Sequence, residues 1–116
     1  MNALYEEYKI ILSRKNQAGE ADDKSYTRYL FKEGINKILK KVGEESAELI
    51  VAAKDAGKHA GDYNKLVVGE TADLFYHVLI MLAELGIPLS DIEAELEARA
   101  AKAGNLKESK VVDKDT

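Results

Sequence analysis

The sequence contains no cysteine and no tryptophan, and only one of its 116 residues is proline. Without cysteine, disulfides, thiolate metal sites and thiol catalysis are excluded. With one proline, long segments can be helical, because proline interrupts helices and sheets alike. Basic residues are also fewer than acidic ones, with 17 Lys and Arg, 21 Asp and Glu, and a net charge of −4. The overall charge therefore favours neither nucleic acid nor an anionic membrane as a partner.

The sequence predicts neither a targeting segment nor a membrane span. The N-terminal segment MNALYEEYKIILSRK is charged throughout and lacks the apolar stretch of a signal peptide. The longest uninterrupted apolar run, VLIMLA, is much shorter than the ~20 residues that cross a bilayer. We therefore expect a cytoplasmic protein with no membrane segment. A composition of 46% hydrophobic and 33% charged residues is typical of a soluble globular domain.

Apolar residues recur at helical spacing along the chain, and no segment alternates in the manner of a strand. Ser25 is the predicted N-cap of the second helix, and Gly34 and Gly86 are predicted helix ends. A capping box formed by Ser90 and Glu93 is predicted to start the last helix. The expected fold is all-α, a bundle of four to five helices in one domain at 1–104 with a flexible tail at 105–116. The predicted helices cover 2–16, 25–34, 35–56, 63–85 and 90–102.

The fourth predicted helix is apolar on nearly all sides from Leu66 to Leu85, which is typical of a helix surrounded by others. Three companion helices in so short a chain would cover it poorly, so we expect a homodimer that buries it. The same stretch carries Glu70, Asp73 and His77. A carboxylate taken out of water costs several kcal/mol unless it pairs, binds metal or takes up a proton. What faces these residues therefore decides their role.

The third and fourth predicted helices each carry a stripe of charged residues, and the two stripes would face each other in a hairpin. At about 100° per residue, Glu70, Asp73 and His77 fall on one narrow arc of their helix. An antiparallel hairpin would place Glu45 and Glu48 opposite Glu70 and Asp73, an ExxE half followed by an ExxD half. The stripe on the preceding helix contains Lys37, Lys41, Glu44, Glu45 and Glu48.

Converging carboxylates repel one another strongly unless a cation lies among them. Oxygen ligands without cysteine select a hard cation, Mg²⁺ with Mn²⁺ as a possible substitute. Such ions hold phosphate oxygens and lower the pKa of a bound water. Lys37 and Lys41 would supply the positive charge that the composition lacks. The combination describes a polyphosphate hydrolase.

The same residues allow other interpretations. Lys41 is three and four residues from Glu44 and Glu45, so these could be surface ion pairs worth ~0.3 kcal/mol each. The chain would then be a non-enzymatic helical interaction protein. A di-iron carboxylate bundle is a weaker alternative, since it requires Glu-x-x-His pairs and the chain offers only Asp73 with His77 four residues later. His77 itself is either a core histidine or a substrate contact.

Two glycines interrupt helices just before acidic residues. Gly43 and Gly69 each cost ~1 kcal/mol relative to alanine in a helix interior. We expect that glycine is needed at these positions because the two helices approach each other closely. The second explanation is that glycine leaves room for a ligand.

The segments that carry these features are SYTRYLFKEGINKILKKVGEESAELIVAAK and GETADLFYHVLIMLAELGIPLSDIEAELEAR. Over roughly residues 4–99 the chain closely resembles the phosphoribosyl-ATP pyrophosphohydrolases of histidine biosynthesis, within the MazG-like all-α NTP pyrophosphohydrolase superfamily. The ExxE and ExxD halves are common to the superfamily, whereas SYT, KKVGEE and DLFYH indicate this branch. The resemblance implies a dimeric, Mg²⁺-dependent hydrolase of a nucleotide substrate, which converts phosphoribosyl-ATP to phosphoribosyl-AMP and pyrophosphate. A house-cleaning dNTP pyrophosphohydrolase of the same superfamily is the alternative.

Site residues follow from the resemblance position by position. It implies that Glu44 holds the metal through water or orients the attacking water, so Glu44 and Glu45 are the catalytic candidates. The loop NQAGEADDK before SYT departs from the family because it lacks an expected proline. The implied Mg²⁺ ligands are Glu45, Glu48, Glu70 and Asp73. The implied substrate-binding residues are Lys37 and Lys41 near the phosphates, then Ser25, Tyr26, Thr27 and His77.

Overall fold

The computed structural model of the protein describes residues 2–16, 25–55 and 63–106. Within these ranges it contains five helices and no strand, which confirms the predicted all-α fold. The predicted loop before SYT, most of the predicted turn after the third helix and the predicted tail beyond residue 106 lie outside the described residues. The helices are α1 (Ala3–Asn16), α2 (Tyr26–Glu33), α3 (Ile35–Asp55), α4 (Tyr63–Leu85) and α5 (Leu89–Leu106).

Local capping rules set most of the helix ends. The Ser25 side chain accepts a hydrogen bond from the Arg28 backbone N–H at 3.3 Å, so Ser25 is the N-cap of α2, as predicted. Gly34 ends α2 with φ +96° and Gly86 ends α4 with φ +72°. Residues other than glycine rarely adopt such positive φ angles. After α4, the Ile87 N–H donates to the Leu82 carbonyl at 2.9 Å, which closes a Schellman motif.

The last helix differs from its prediction at both ends. α5 begins at Leu89, so Ser90 lies inside the first turn and the predicted capping box is wrong. The Pro88 carbonyl accepts the Asp91 N–H at 3.0 Å and thereby closes this turn one step earlier. At the other end α5 continues to Leu106 rather than stopping near residue 102, because the alanine-rich stretch before Gly104 has high helix propensity.

The hydrophobic core lies where α1, α2 and the C-terminal half of α4 meet. Two polar contacts fix α1 against the end of α4: the Tyr8 hydroxyl donates to the Ile87 carbonyl at 2.6 Å, and the Lys15 ammonium donates to the Ala83 carbonyl at 2.7 Å. This packing leaves the N-terminal half of α4 to face α3. The buried core residues are Tyr8, Ile11, Leu30, Phe31, Ile38, Leu79, Ile80, Leu82, Ala83 and Leu89.

Helices α3 and α4 form the antiparallel hairpin that the charged stripes predicted. Near their connection, Ala52 on α3 and Leu66 on α4 line one cleft. Farther away, Glu45 on α3 meets Asp73 on α4. Residue numbers therefore fall on α3 as they rise on α4, and the ExxE and ExxD halves face each other.

One expectation about burial is not met within a single chain. Val68 in the N-terminal half of α4 is 60% exposed, and Ile50 and Val51 on α3 are 67% and 58% exposed. Leu39 on α3 is 46% exposed as well. The chain therefore buries α4 mainly between His77 and Ala83, and it leaves Phe75 and Leu85 exposed.

The helix Asn64–Leu85 is long and apolar enough to cross a membrane, with a mean hydropathy of 1.6 and 28% of its window buried. The short run VLIMLA did not indicate this, because Glu70 and Asp73 divide the apolar stretch while its mean hydropathy stays high. A single such helix is a weak indication, since the core helix of a helical bundle passes the same test.

Candidate active site

Three carboxylates from two helices converge on one point. Glu45 on α3 and Glu70 and Asp73 on α4 each offer a carboxylate oxygen, and these atoms lie within 4.8 Å of one another. The spacing of three residues places Glu70 and Asp73 on the same face of α4. Glu45 is buried, Glu70 is half-buried and Asp73 is exposed, so the cluster opens to solvent on the Asp73 side.

Two oxygens of this cluster are buried and lack a hydrogen bond. One oxygen of Glu45, Oε1, lies 3.5 Å from the Lys41 ammonium. Among the residues that the structure describes, its other oxygen, Oε2, has no hydrogen-bond partner, and neither has Oε2 of Glu70. A buried acceptor without a donor costs ~1–3 kcal/mol, and more when it is charged. A cation among the carboxylates would satisfy both atoms. The all-oxygen donor set fits a hard divalent ion such as Mg²⁺.

Glu48 lies beside this cluster and outside its three converging oxygens. Its side chain forms a hydrogen bond with Glu45 that raises the pKa of Glu48, and the negative charges of Glu45 and Glu70 raise it further. Such a bond requires that one of the two carboxyl groups carries a proton. The fourth predicted ligand is therefore close enough to share a proton with the cluster, and a cation would compete for that position.

The ion pairs of the non-enzymatic alternative are present too. The Lys41 ammonium lies 3.6 Å from Oε1 of Glu44 and 3.5 Å from Oε1 of Glu45. Burial lowers the pKa of Lys41, but Tyr26, Glu44 and Glu45 outweigh it and the net pKa is raised. Lys41 therefore carries its charge at neutral pH. These pairs account for Oε1 of Glu45 and leave its Oε2 unexplained.

A hydrogen-bonded pair connects α2 to the backbone of a proposed ligand. Nδ1 of His77 lies 2.7 Å from the Asp73 carbonyl, which can only accept, so Nδ1–H is the donor. In the neutral ring, Nε2 then accepts the Tyr26 hydroxyl at 2.9 Å. His77 is buried with both ring nitrogens bonded, whereas Tyr26 is 43% exposed. Burial raises the pKa of Tyr26, although the Lys41 charge opposes this, and the phenol therefore stays protonated.

An aromatic group extends from this pair along α2. The Tyr26 ring stacks on Tyr29 at 6.3 Å between centroids and on Tyr76 at 6.5 Å. The Tyr76 hydroxyl is hydrogen-bonded to the buried Thr27 hydroxyl. The Lys37 ammonium lies 5.8 Å from the centre of the Tyr29 ring.

Comparison with known proteins identifies the family of the chain. A profile of the phosphoribosyl-ATP pyrophosphohydrolase family matches residues 5–100. The chain belongs to this family. Three relatives named phosphoribosyl-ATP pyrophosphatase are similar to it over most of their length. The Listeria welshimeri protein is 46% identical over 97% of both chains. The Streptococcus thermophilus protein is 46% identical over 90% of this chain and 92% of its own. The Clostridium novyi protein is 43% identical over 92% of this chain and 89% of its own.

Membership of this family confirms the resemblance, and the structure brings most of the implied site residues together. Ser25, Thr27 and Lys37 are the three that it places apart from the carboxylates. Ser25 caps α2 and accepts a hydrogen bond from the Arg14 guanidinium at 3.2 Å. Thr27 is buried against Tyr76, and Lys37 lies over Tyr29. Their roles as substrate contacts stay predictions. The residues brought together are Tyr26, Lys41, Glu44, Glu45, Glu48, Glu70, Asp73 and His77.

The sequence did not single out Tyr29 and assigned Tyr76 to the core. A signal was available, since Tyr26 and Tyr29 are three residues apart on one helix face and Tyr76 precedes His77. Periodicity alone does not separate such rings from core residues, because that requires knowing which helix packs against α2.

The two helix glycines have open space around them. A Cβ atom at Gly43 or Gly69 would meet no atom within 4 Å, so the expected close approach of helices at these points is wrong. Gly69 instead lines a cleft of about 450 Å³ with Lys65, Glu70 and Asp73. A second cleft, of about 320 Å³, adjoins Glu48 and Glu70. For Gly69, room for a ligand is the interpretation that remains.

Proposed function

We propose that this chain hydrolyses phosphoribosyl-ATP to phosphoribosyl-AMP and pyrophosphate, the second step of histidine biosynthesis, in a Mg²⁺-dependent reaction. The observation that carries the proposal is the pair of unpartnered, buried oxygens on Glu45 and Glu70 beside Asp73. Together with membership of the family, it favours an enzyme over a helical interaction protein, whose carboxylates would each have a lysine or a hydrogen-bond donor.

Glu45, Glu48, Glu70 and Asp73 would hold the cation. When bound, it would neutralise charge on the phosphate oxygens and make water a better nucleophile. Rigid helices α3 and α4 fix the carboxylates before substrate arrives, so little reorganisation is needed. A proton and the cation would compete for Glu48, because the neighbouring Glu45 raises its pKa.

Glu44 and Lys41 would act on the substrate side. The Glu44 side chain is 46% exposed and 3.6 Å from the Lys41 ammonium, so it can accept a proton from water at the edge of the cluster. Lys41 stays charged and can shift from the glutamates toward an incoming phosphate. The Tyr26–His77 pair would position α2 against α4 beside the ligands.

The exposed apolar residues Ile50, Val51 and Val68 on α3 and α4 support a homodimer, in which a second copy covers this surface. We propose that the dimer is cytoplasmic. Val68→Asp should shift the sedimentation of the protein toward the monomer. Leu96→Asp, at a position 59% exposed on α5, is the matched control and should leave the dimer intact. Dissociation by the control alone would move the interface to α5.

The function is tested by pyrophosphate release from phosphoribosyl-ATP with Mg²⁺, compared with a panel of dNTPs at equal concentration. Phosphoribosyl-ATP should be the preferred substrate, and EDTA should abolish turnover. A higher kcat/KM for any dNTP would assign the chain to the house-cleaning branch. No turnover of either substrate class by folded protein would favour the interaction protein.

A further inference from the structure

The two lysines on the charged stripe of α3 differ in their surroundings. Lys41 lies between Glu44 and Glu45, which together outweigh its charge. Lys37 forms no ion pair with any residue in the described ranges, and its ammonium lies 5.8 Å from the Tyr29 ring centre. An aromatic face attracts a cation without neutralising it, and at exposed sites this is worth ~0.5–1 kcal/mol. Lys37 is therefore held in place with its positive charge uncompensated.

The position of Lys37 relative to the carboxylates is fixed by α3. Glu45 follows Lys37 by eight residues, which corresponds to ~12 Å along the helix. The Tyr29 ring beside Lys37 stacks on Tyr26 at 6.3 Å between centroids, and Tyr26 lies near Lys41 and Glu45; both tyrosines are 43% exposed. An open, partly aromatic surface thus leads from the acidic cluster to an uncompensated ammonium.

The substrate of the proposed function has phosphate at two separate ends, because a ribose phosphate is attached to ATP. The carboxylate end of the site repels any phosphate that arrives without a cation, because its five carboxylates outnumber the ammonium groups of Lys41 and Lys65 beside them. The second phosphate requires positive charge at a distance from this cluster.

We propose that Lys37, held over Tyr29, binds the phosphate of the phosphoribosyl group and thereby makes the site prefer phosphoribosyl nucleotides over plain adenine nucleotides. This inference rests on the proposed function. It divides the work of the two lysines: Lys41 serves the phosphates beside the carboxylates, and Lys37 is the specificity-determining residue for the remote phosphate.

The test compares two ligands that differ only in the group concerned. Binding of phosphoribosyl-AMP and of AMP is measured by calorimetry with Mg²⁺ for the wild type and for Lys37→Gln. The wild type should bind phosphoribosyl-AMP more tightly, and the variant should lose about tenfold to hundredfold of that affinity, as expected for a hydrogen bond to a charged group. AMP affinity should change by less than about twofold, because AMP lacks the remote phosphate. Lys37→Arg should retain most of the preference, since the charge remains.

Lys40→Gln is the matched control, because Lys40 is an exposed lysine of the same helix that lies outside the stripe. It should leave both affinities at wild-type values. An equal loss for both ligands in Lys37→Gln, or no loss for either, would overturn the proposal. The proposed function fails separately: a wild type that prefers phosphoribosyl-AMP but does not hydrolyse phosphoribosyl-ATP would support the subsite and refute the reaction.

Discussion

The two halves of α4 share an apolar composition and differ in what surrounds them. In the C-terminal half, the stretch from Leu79 to Ala83 packs into the core, and Ile80 is 0% exposed. In the N-terminal half, Val68 is 60% exposed and Glu70 faces α3. Hydrophobicity therefore does not distinguish the half that stabilises the bundle from the half that carries the site.

What does distinguish them is whether their buried polar atoms have partners. His77, at the border of the core, has both ring nitrogens hydrogen-bonded. Glu70, two turns earlier, has a buried oxygen with none. A satisfied buried group needs no ligand, whereas an unsatisfied charged one costs free energy unless a ligand is bound. The contrast separates a histidine whose hydrogen bonds are satisfied from a carboxylate that is available to a cation.

The largest effect on activity is expected for Glu45 on α3, which faces the N-terminal half of α4. Glu45→Gln keeps the shape of the side chain and removes the charge that faces Glu70 and Asp73. We expect turnover of phosphoribosyl-ATP to fall about a thousandfold, the upper range for loss of one preorganised electrostatic contact. Steady-state pyrophosphate release measures this. Glu95→Gln, which breaks an exposed ion pair with Arg99 at 2.9 Å, is the control and should retain wild-type rates. Comparable activity of the two variants would remove Glu45 from the site.

Substitutions in the C-terminal half of α4 should lower the stability of the fold. Ile80→Ala removes a fully buried side chain, and we expect a loss of about 2–5 kcal/mol in the free energy of unfolding, measured in urea with EDTA present. Leu96→Ala, at an exposed position of α5, should cost less than about 0.5 kcal/mol. If both substitutions were equally mild, the core would not lie where α1, α2 and α4 meet.

A smaller loss of stability is expected at His77, which lies between the two halves of α4 and is hydrogen-bonded to Tyr26. Tyr26→Phe removes the hydroxyl that donates to His77 Nε2, and a loss of about 1 kcal/mol in unfolding free energy is expected for this partly buried bond. Tyr29→Phe provides the comparison, because the Tyr29 hydroxyl forms no hydrogen bond within the described residues. Thermal unfolding of both variants in EDTA should rank Tyr29→Phe with the wild type. The reverse ranking would contradict the Tyr26–His77 contact.

The smallest effect concerns pH. Because its hydrogen bond with Glu45 raises the pKa of Glu48 above the ordinary 4.5, the folded protein binds this proton more tightly than the unfolded chain does. The resulting stabilisation is present below pH 4.5 and is lost as pH rises through the folded-state pKa. In EDTA, the melting temperature of the wild type should therefore gain on that of Glu48→Gln as pH falls from 7 toward 4.5. With Mg²⁺ the trend should reverse, because proton and cation compete. A constant difference between the two proteins would show that no proton is shared.

Local rules predicted most of the fold from the sequence. Ser25, Gly34 and Gly86 end or begin helices by side-chain capping or by positive φ, and both effects depend on neighbouring residues only. The rule failed for Ser90, where the Pro88 carbonyl closes the first turn before the serine can cap it. The spacing of the carboxylates was equally informative, because helical periodicity alone places Glu70 and Asp73 on one face.

The remainder depends on how distant segments pack. Tyr26 and His77 are 51 residues apart, and no spacing rule brings them together. Glu48 matched the ligand pattern and yet lies beside the converging oxygens rather than among them, which depends on side-chain conformation. Gly43 and Gly69 are exposed and meet no neighbour within the described residues, and a glycine in the sequence gives no sign of whether a neighbour approaches it.

The most direct test of the cation site is the melting temperature of the wild type and of Asp73→Asn, each with EDTA and with excess Mg²⁺. Asp73 repels Glu45 and Glu70 when no cation is bound, so in EDTA the variant should melt no lower than the wild type. Mg²⁺ at one hundred times its Kd should stabilise the wild type by about 2.7 kcal/mol, since it binds only the folded state. The variant should gain much less, because an amide is a poor ligand for a hard cation. A large loss of stability for Asp73→Asn in EDTA, with an unchanged response to Mg²⁺, would contradict the account.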